Sequence, residues 1–319
     1  MRATSNRLFH TLRSLRHENP LGLPRTGSIP RMQRGLPERR KIKDVAKVVA
    51  VSSAKGGVGK STVAANLSLA FARMGYRAGI LDTDIFGPSI PTLFNLSGEP
   101  RLSSSTSTFS IPFQPKSTNL NPDNQLLPLS NYGVKTMSMG YLVGEDAPVV
   151  WRGLMVMKAL QQLLHEVEWG GLDILVLDLP PGTGDTQLSV TQQIVLDGSV
   201  IVTTPHTLAI KDAVKGINMF KKVDVPLLGL VQNMSLFCCP HCHQDTAVFG
   251  SNERVKGLCE DYSIDLLGDI PLHQSVGDDG QRGKPTVVSE PQSHRAKAFM
   301  DIAQQVGSKI GLQRETNTS

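Results

Sequence analysis

The sequence predicts an α/β fold, a doubly wound and mostly parallel sheet covered by helices on both faces. Three observations predict it. Short runs of β-branched and aliphatic residues lack polar alternation, as strands buried on both sides do. These runs alternate with longer segments whose apolar residues recur at helical spacing, the order of βαβ units. The first run also ends in a glycine-rich loop that opens directly into a helical pattern.

The elements follow in chain order. Val48-Val49-Ala50-Val51 is the first strand, and residues 61–74 (STVAANLSLAFARM) read as a helix with Gly75 just beyond it. Arg77–Leu81 is the second strand. A helix over 152–167 precedes strand 172–177, and 198–203 (GSVIVT) is another strand. Helix 207–222 leads to strand 226–231, and helix 251–262 leads to strand 264–268. The last helix is expected over 291–308, and the polar tail 313–319 follows the domain. Residues 99–128 break the rhythm with Ser, Thr, Asn and five prolines, so a disordered surface insert is expected there. No internal repeat is visible.

Composition narrows the function classes. No apolar run among the 319 residues approaches the ~18 that a spanning helix needs, which leaves at most peripheral membrane association. The net charge of +5 is uneven: residues 1–43 carry nine Arg and two Lys against Glu18 and Glu38, a net of +9, so the remainder carries 5 − 9 = −4. An acidic body argues against nucleic acid as a partner. Residues 1–35 are rich in Arg and Ser/Thr, with Leu8, Leu12 and Leu15 on one helical face and Glu18 as their only acid. That pattern predicts a mitochondrial transit peptide and a matrix location. The domain proper then spans 36–312. The four cysteines, Cys238, Cys239, Cys242 and Cys259, all lie in the last third, which suits a reduced protein with a thiolate site better than a disulfide framework.

The chemistry concentrates in two segments. Ala54-Lys55-Gly56-Gly57-Val58-Gly59-Lys60-Ser61-Thr62 lies between the first strand and the first helix. Glycines there let the backbone turn tightly and aim its N–H groups at phosphate oxygens, and the helix N-terminus adds positive charge. Lys60 would neutralise the β- and γ-phosphates, and the Ser61 hydroxyl would ligate Mg²⁺. Asp82 and Asp84 follow the second strand, as two carboxylates suited to Mg²⁺ and the attacking water. Asp178 ends Leu175-Val176-Leu177 and precedes Pro180-Pro181-Gly182-Thr183-Gly184-Asp185, a turn suited to sensing the γ-phosphate. No guanine-specific Asn/Thr-Lys-x-Asp motif is present, which favours ATP over GTP. The second segment is Phe237-Cys238-Cys239-Pro240-His241-Cys242. Cys239 and Cys242 can hold one soft metal centre from a single turn, but a pair supplies only two ligands. Two chains of a symmetric dimer would supply four. A zinc site completed by His241 and His243, a redox disulfide and inert thiols are the alternatives. Cys259 sits in a helical pattern and reads as core.

Lys55 before the glycines resembles the deviant Walker motif of the nitrogenase iron protein, MinD, ParA and Mrp-type ATPases. Together with Leu81-Asp82-Thr83-Asp84-Ile85-Phe86-Gly87-Pro88-Ser89, the Asp178 turn, Val231-Gln232-Asn233-Met234 and the Cys-Pro-x-Cys, it resembles the Mrp/NBP group of iron–sulfur carrier ATPases over roughly residues 35–310. Met137-Ser138-Met139-Gly140 and Val150-Trp151-Arg152-Gly153 look like that group too. The resemblance implies a homodimer closing around ATP, with Lys55 reaching the partner's nucleotide. It implies that Asp84 orients the water, Asp82 supports Mg²⁺ and Asn233 reads adenine. It also implies that Cys239 and Cys242 of two chains hold a 4Fe–4S cluster for apoprotein acceptors, subunits of respiratory complex I given the leader, with weak Mg-ATPase activity serving the transfer. Ala54 in place of the first loop glycine and the 99–128 insert depart from the pattern. A ParA/MinD-class positioning ATPase would need a basic amphipathic tail or a basic patch. A redox enzyme like the nitrogenase iron protein does not fit the Cys-Pro-x-Cys spacing.

Overall fold

The computed structural model describes residues 39–101, 125–142, 153–239, 241–242 and 244–312. The expected leader, most of the 99–128 insert, Val150-Trp151-Arg152, Pro240, His243 and the polar tail lie outside them.

The strands are β1 (Val45–Ser52), β2 (Ala78–Asp82), β3 (Leu129–Asn131), β4 (Val134–Ser138), β5 (Leu172–Asp178), β6 (Gly198–Thr203), β7 (Leu227–Cys238), β8 (Asp245–Thr246) and β9 (Leu266–Leu272). The helices are α1 (Lys60–Arg73), α2 (Ile90–Leu93), α3 (Gly153–His165), α4 (Asp185–Gln193), α5 (Thr207–Lys222), α6 (Glu253–Tyr262), α7 (Gln274–Gln281), α8 (Thr286–Ser289) and α9 (His294–Lys309). Among the described residues the strands form one sheet in the order β3-β4-β2-β5-β1-β6-β7-β8, with β9 also on β7. The pairings are parallel except β3 with β4 and β7 with β8. The doubly wound, mostly parallel α/β fold is therefore the one expected.

The run at β1 is continuously apolar because both faces of the sheet are covered. Val48 and Ala50 point into a core with Leu160 and Leu163 of α3, Ile217 and Phe220 of α5, and Leu258 of α6. Val49 and Val51 point into the opposite core with Leu67 and Phe71 of α1 and Phe299 and Ile302 of α9. Cys259 is buried in the first of these cores, as its helical setting suggests.

Several boundaries differ from the expected ones for physical reasons. The strand expected at 226–231 continues to Cys238. Its polar residues disguise it but are bonded inside: Gln232 to Asn252, Asn233 to the Val58 carbonyl, Ser235 to the Ile270 carbonyl. The strand expected at 264–268 is Leu266–Leu272. The β3–β4 hairpin was not expected. Its Tyr132-Gly133 turn has both residues left-handed (φ 52 and 77), the geometry that matches strand twist in a two-residue loop. Helices α4 and α7 were also missed, because their sequences are polar and α7 holds Gly277 and Gly280, poor helix formers. The described ends of the 99–128 insert are tied to the domain. Leu127 N–H donates to the Arg101 carbonyl (2.7 Å), and Leu126 exchanges bonds with Glu166 and Glu168 just after α3 (2.8 and 2.9 Å). No helix among the described residues is long and apolar enough to cross a membrane.

Phe71 is fully buried where α1 meets α9, stacked edge-on against Tyr76. Phe71→Ala should lower stability by about 3–5 kcal/mol in chemical denaturation. A loss below about 1 kcal/mol would contradict this packing.

Candidate functional site

The carboxyl ends of the central strands meet level with one another. Val51 of β1 and Asp82 of β2 both register with Asp178 of β5, which lies between them. This is the edge at which open α/β sheets bind ligands. A cleft of about 500 Å³ opens there. One wall is Gly56, Gly57, Gly59, Lys60, Ser61 and Thr62; the other is the loop from Asp84 to Ser89 with α2 and α7.

The loop glycines are dictated by geometry. Gly57 and Gly59 lie at φ +81 and +84, where a side chain is strained. A Cβ on Gly59 would also fall 2.2 Å from Nδ2 of Asn233. That amide donates to the Val58 carbonyl (2.8 Å) and so braces the loop from β7. Ala54 and Lys55 are half-exposed, and the Lys55 carbonyl accepts the Ser53 hydroxyl (2.9 Å). Gly182 N–H donates to the Ser53 carbonyl (2.9 Å), tying the Pro180–Gly184 turn to the phosphate loop. Gln187 of α4, missed in the sequence, adds a bond to the Ser52 hydroxyl.

The electrostatic centre is an ion pair between Lys60 Nζ and Asp178 Oδ1, with side chains only 6% and 0% exposed. Lys60 Nζ also donates to the Ser61 hydroxyl (3.2 Å). Burial pushes the Asp178 carboxyl up, while Lys60 and Ser61 pull it down. Asp178 Oδ2 has no hydrogen-bond partner among the described residues. Asp84 lines the cleft, and its Oδ1 accepts the N–H groups of Phe86 and Gly87 (both 3.3 Å). Asp82 is fully buried behind it. Burial, then the Asp178 charge, push Asp82 from 3.8 to about 7. The sequence thus named the phosphate side of the cleft but not the α7 wall, whose Val276, Gly277, Gly280 and Gln281 carry no local signal.

β7 leaves the Asn233 brace and ends in the cysteine turn. Cys239 N–H donates to the Gln244 carbonyl (3.0 Å), closing the turn. Cys238 and Cys242 are exposed and Cys239 half-buried. N–H groups of Cys242 and His241, and the Cys242 thiol, hold the Cys239 thiol below its usual range. Desolvation and the Asp245 carboxylate push Cys238 up. The two thiols of the Cys-Pro-x-Cys are therefore adjacent and accessible, and Cys239 is the readier thiolate. Among the described residues no group of three or more His, Cys, Asp or Glu stands together as a metal site.

Comparison with known proteins identifies the family. The ParA family described as NUBPL iron-transfer P-loop NTPase matches residues 44–307. The chain belongs to this family. The mouse iron–sulfur cluster transfer protein NUBPL is 50% identical over 281 residues, 88% of this chain and 82% of that one. An Arabidopsis thaliana protein named "Iron-sulfur protein required for NADH dehydrogenase, mitochondrial" is 46% identical over 86% of this chain and 82% of that one. Among solved structures, a nucleotide-binding protein from Archaeoglobus fulgidus in complex with ADP has a TM-score of 0.64 at 34% identity, covering 81% of this chain and 93% of that one. The cell division ATPase MinD of Pyrococcus furiosus, at 20% identity and TM-score 0.57, covers 82% of this chain and 99% of its own and shows the shared fold.

Lys60→Ala should strand the buried Asp178 charge and cost about 3–5 kcal/mol of stability. Adding Asp178→Asn should recover most of that stability without recovering Mg-ATP affinity. Calorimetric titration and denaturation separate the two; a double variant that binds Mg-ATP like wild type contradicts the site. In the metal-free chain, alkylation by iodoacetamide should keep a fast phase at pH values where an ordinary thiol is mostly protonated. Cys239→Ser should remove that phase and Cys238→Ser should leave it; the reverse pattern contradicts the turn.

Proposed function

We propose that this chain is a weak Mg-ATPase that carries a 4Fe–4S cluster and delivers it to apoproteins. The acceptors are subunits of respiratory complex I (NADH dehydrogenase), and the site of action is the mitochondrial matrix. The observation that carries the reading is that β7 joins both ends of the process, bracing the phosphate loop through Asn233 and ending at Cys238, next to Cys239. The Arabidopsis relative's name supports the acceptor class, and the basic leader supports the compartment.

The mechanism follows from the residues. Lys60 exchanges Asp178 for the β- and γ-phosphates when ATP enters. Loop N–H groups, with their left-handed glycines, cradle the phosphates. Ser61 would hold Mg²⁺, and the freed Asp178 carboxylate would accept hydrogen bonds from its waters; the ion would supply charge neutralisation at the phosphates. Asp84 orients the water that attacks the γ-phosphate. Lys55 serves the nucleotide of a second copy, so ATP draws two chains together, and Asn233 reads the adenine. Each chain offers two adjacent thiolates, so a cluster that takes four is shared between Cys239 and Cys242 of both copies. A cluster held on an exposed turn is readily passed to an acceptor. Zinc on Cys239 and Cys242 is the competing occupant.

Anaerobic reconstitution with iron and sulfide tests this. The chain should take up about two irons each, show the Mössbauer signature of a 4Fe–4S centre and become dimeric as it loads. Cys239→Ala or Cys242→Ala should abolish the visible absorption, and Cys259→Ala should not. A monomer that keeps its metal overturns the shared cluster. A colourless protein with one zinc per chain selects the competing occupant.

A further inference from the structure

Asp82 ends β2 and Asp84 lies two residues beyond it, but they face different ways. Asp84 lines the cleft, whereas Asp82 is 0% exposed behind it. Asp82 Oδ1 accepts the Asp84 N–H (3.0 Å). Its Oδ2 accepts the N–H groups of Ser89 (3.0 Å) and Ile90 (3.2 Å) and the Ser138 hydroxyl (3.1 Å). The donors come from the loop itself, from the start of α2 and from the end of β4.

We propose that Asp82 is a positioning residue, a buried hub that fixes the 83–89 loop so that Asp84 meets its water, and not a ligand of the metal. The inference rests on the ATPase reading above and deepens it. A carboxylate offers about four lone-pair sites, and the donors around Asp82 occupy nearly all of them. Mg²⁺ keeps several waters, which need free acceptor oxygens; both Asp82 oxygens are already taken, whereas the equally buried Asp178 keeps Oδ2 without a partner among the described residues. Both ends of the loop are held by the one side chain: Asp84 at its entry, and Ser89 with Ile90 at its exit. Between them the loop closes on Asp84 through Phe86 and Gly87. Among the described residues β4 enters only through Ser138, which explains why a serine ends the strand registered with Asp82. Removing the hub loosens the loop and displaces Asp84. A displacement of about 1 Å at a reacting group costs on the order of 100-fold in rate.

The test compares wild type, Asp82→Asn and Ser138→Ala in ATP hydrolysis across Mg²⁺ concentrations, with hydrogen exchange at the Asp84, Ser89 and Ile90 amides. Asp82→Asn should lower kcat by about 10- to 100-fold. Its KM for ATP and half-saturating Mg²⁺ should stay within about threefold of wild type, as for a residue off the metal. Ser138→Ala, which removes one donor, should lower kcat less and in the same direction. The three amides should exchange faster in Asp82→Asn. If excess Mg²⁺ restores kcat, Asp82 is a ligand and the proposal falls. Unchanged exchange also overturns it, whether or not the wild type hydrolyses ATP. Wild type without hydrolysis overturns the ATPase reading alone. If Asp82→Asn does not fold, Ser138→Ala carries the same comparison.

Discussion

The buried pair of Lys60 and Asp178 is the interaction on which the rest of the site depends. Neither charge would survive alone in so dry a place, since each loses several kcal/mol of hydration. The pair therefore locks the first residue of α1 to the last residue of β5. Because β5 runs between β1 and β2, this one contact keeps the ends of three strands level. The glycine-rich loop, the Asp84 loop and the Pro180–Gly184 turn all hang from those ends. A phosphate group can displace Asp178 only by offering Lys60 a better counter-charge, so the pair guards the shape of the loop without closing it.

The link from that loop to the cysteines is a strand and not a chain of soft contacts. Asn233 holds the Val58 carbonyl, and Gly59 has room beside it only because it lacks a Cβ. Beyond Asn233 the ladder to β9 shifts register before Phe237, and Met234 stands at φ 55. Backbone rises by about 3.3 Å per residue in a strand, so the path from brace to turn is short. It is also irregular at one place, where a change in the loop would be absorbed or passed on. Asp245 of β8 pairs with Cys238, fixing the far side of the same turn.

Much of this was legible in the sequence, and particular residues explain where it was not. Fully buried parallel strands announce themselves as unbroken apolar runs, so β5 and β6 were read nearly to the residue and β1 at its fully buried centre, Val48–Val51, within Val45–Ser52. The phosphate loop was legible because left-handed turns demand glycine at fixed places. The Cys-Pro-x-Cys was legible as chemistry and the start of its strand as an apolar run, yet the strand's extension past Val231 was not, because Gln232, Asn233 and Ser235 are polar and bond to distant residues. α7 was hidden for the opposite reason: its glycines lower helix propensity, and packing against α2 and α8 overrides that preference. The separate orientations of Asp82 and Asp84 depend on donors from β4 and α2, which no local pattern reveals.

The neck at Arg101 and Leu127 has a consequence for how this protein tolerates change. Arg101 and Leu127 are joined by a 2.7 Å backbone bond, and Leu126 is pinned again behind α3. Once such a neck is sealed, the entropy of closing the loop grows only with the logarithm of its length, about 0.6 kcal/mol per doubling. Sequence between the two anchors can therefore lengthen, shorten or diverge with little effect on the sheet. The neck is a natural graft point, where a reporter or an affinity tag could be spliced while the ligand-bearing edge keeps its register.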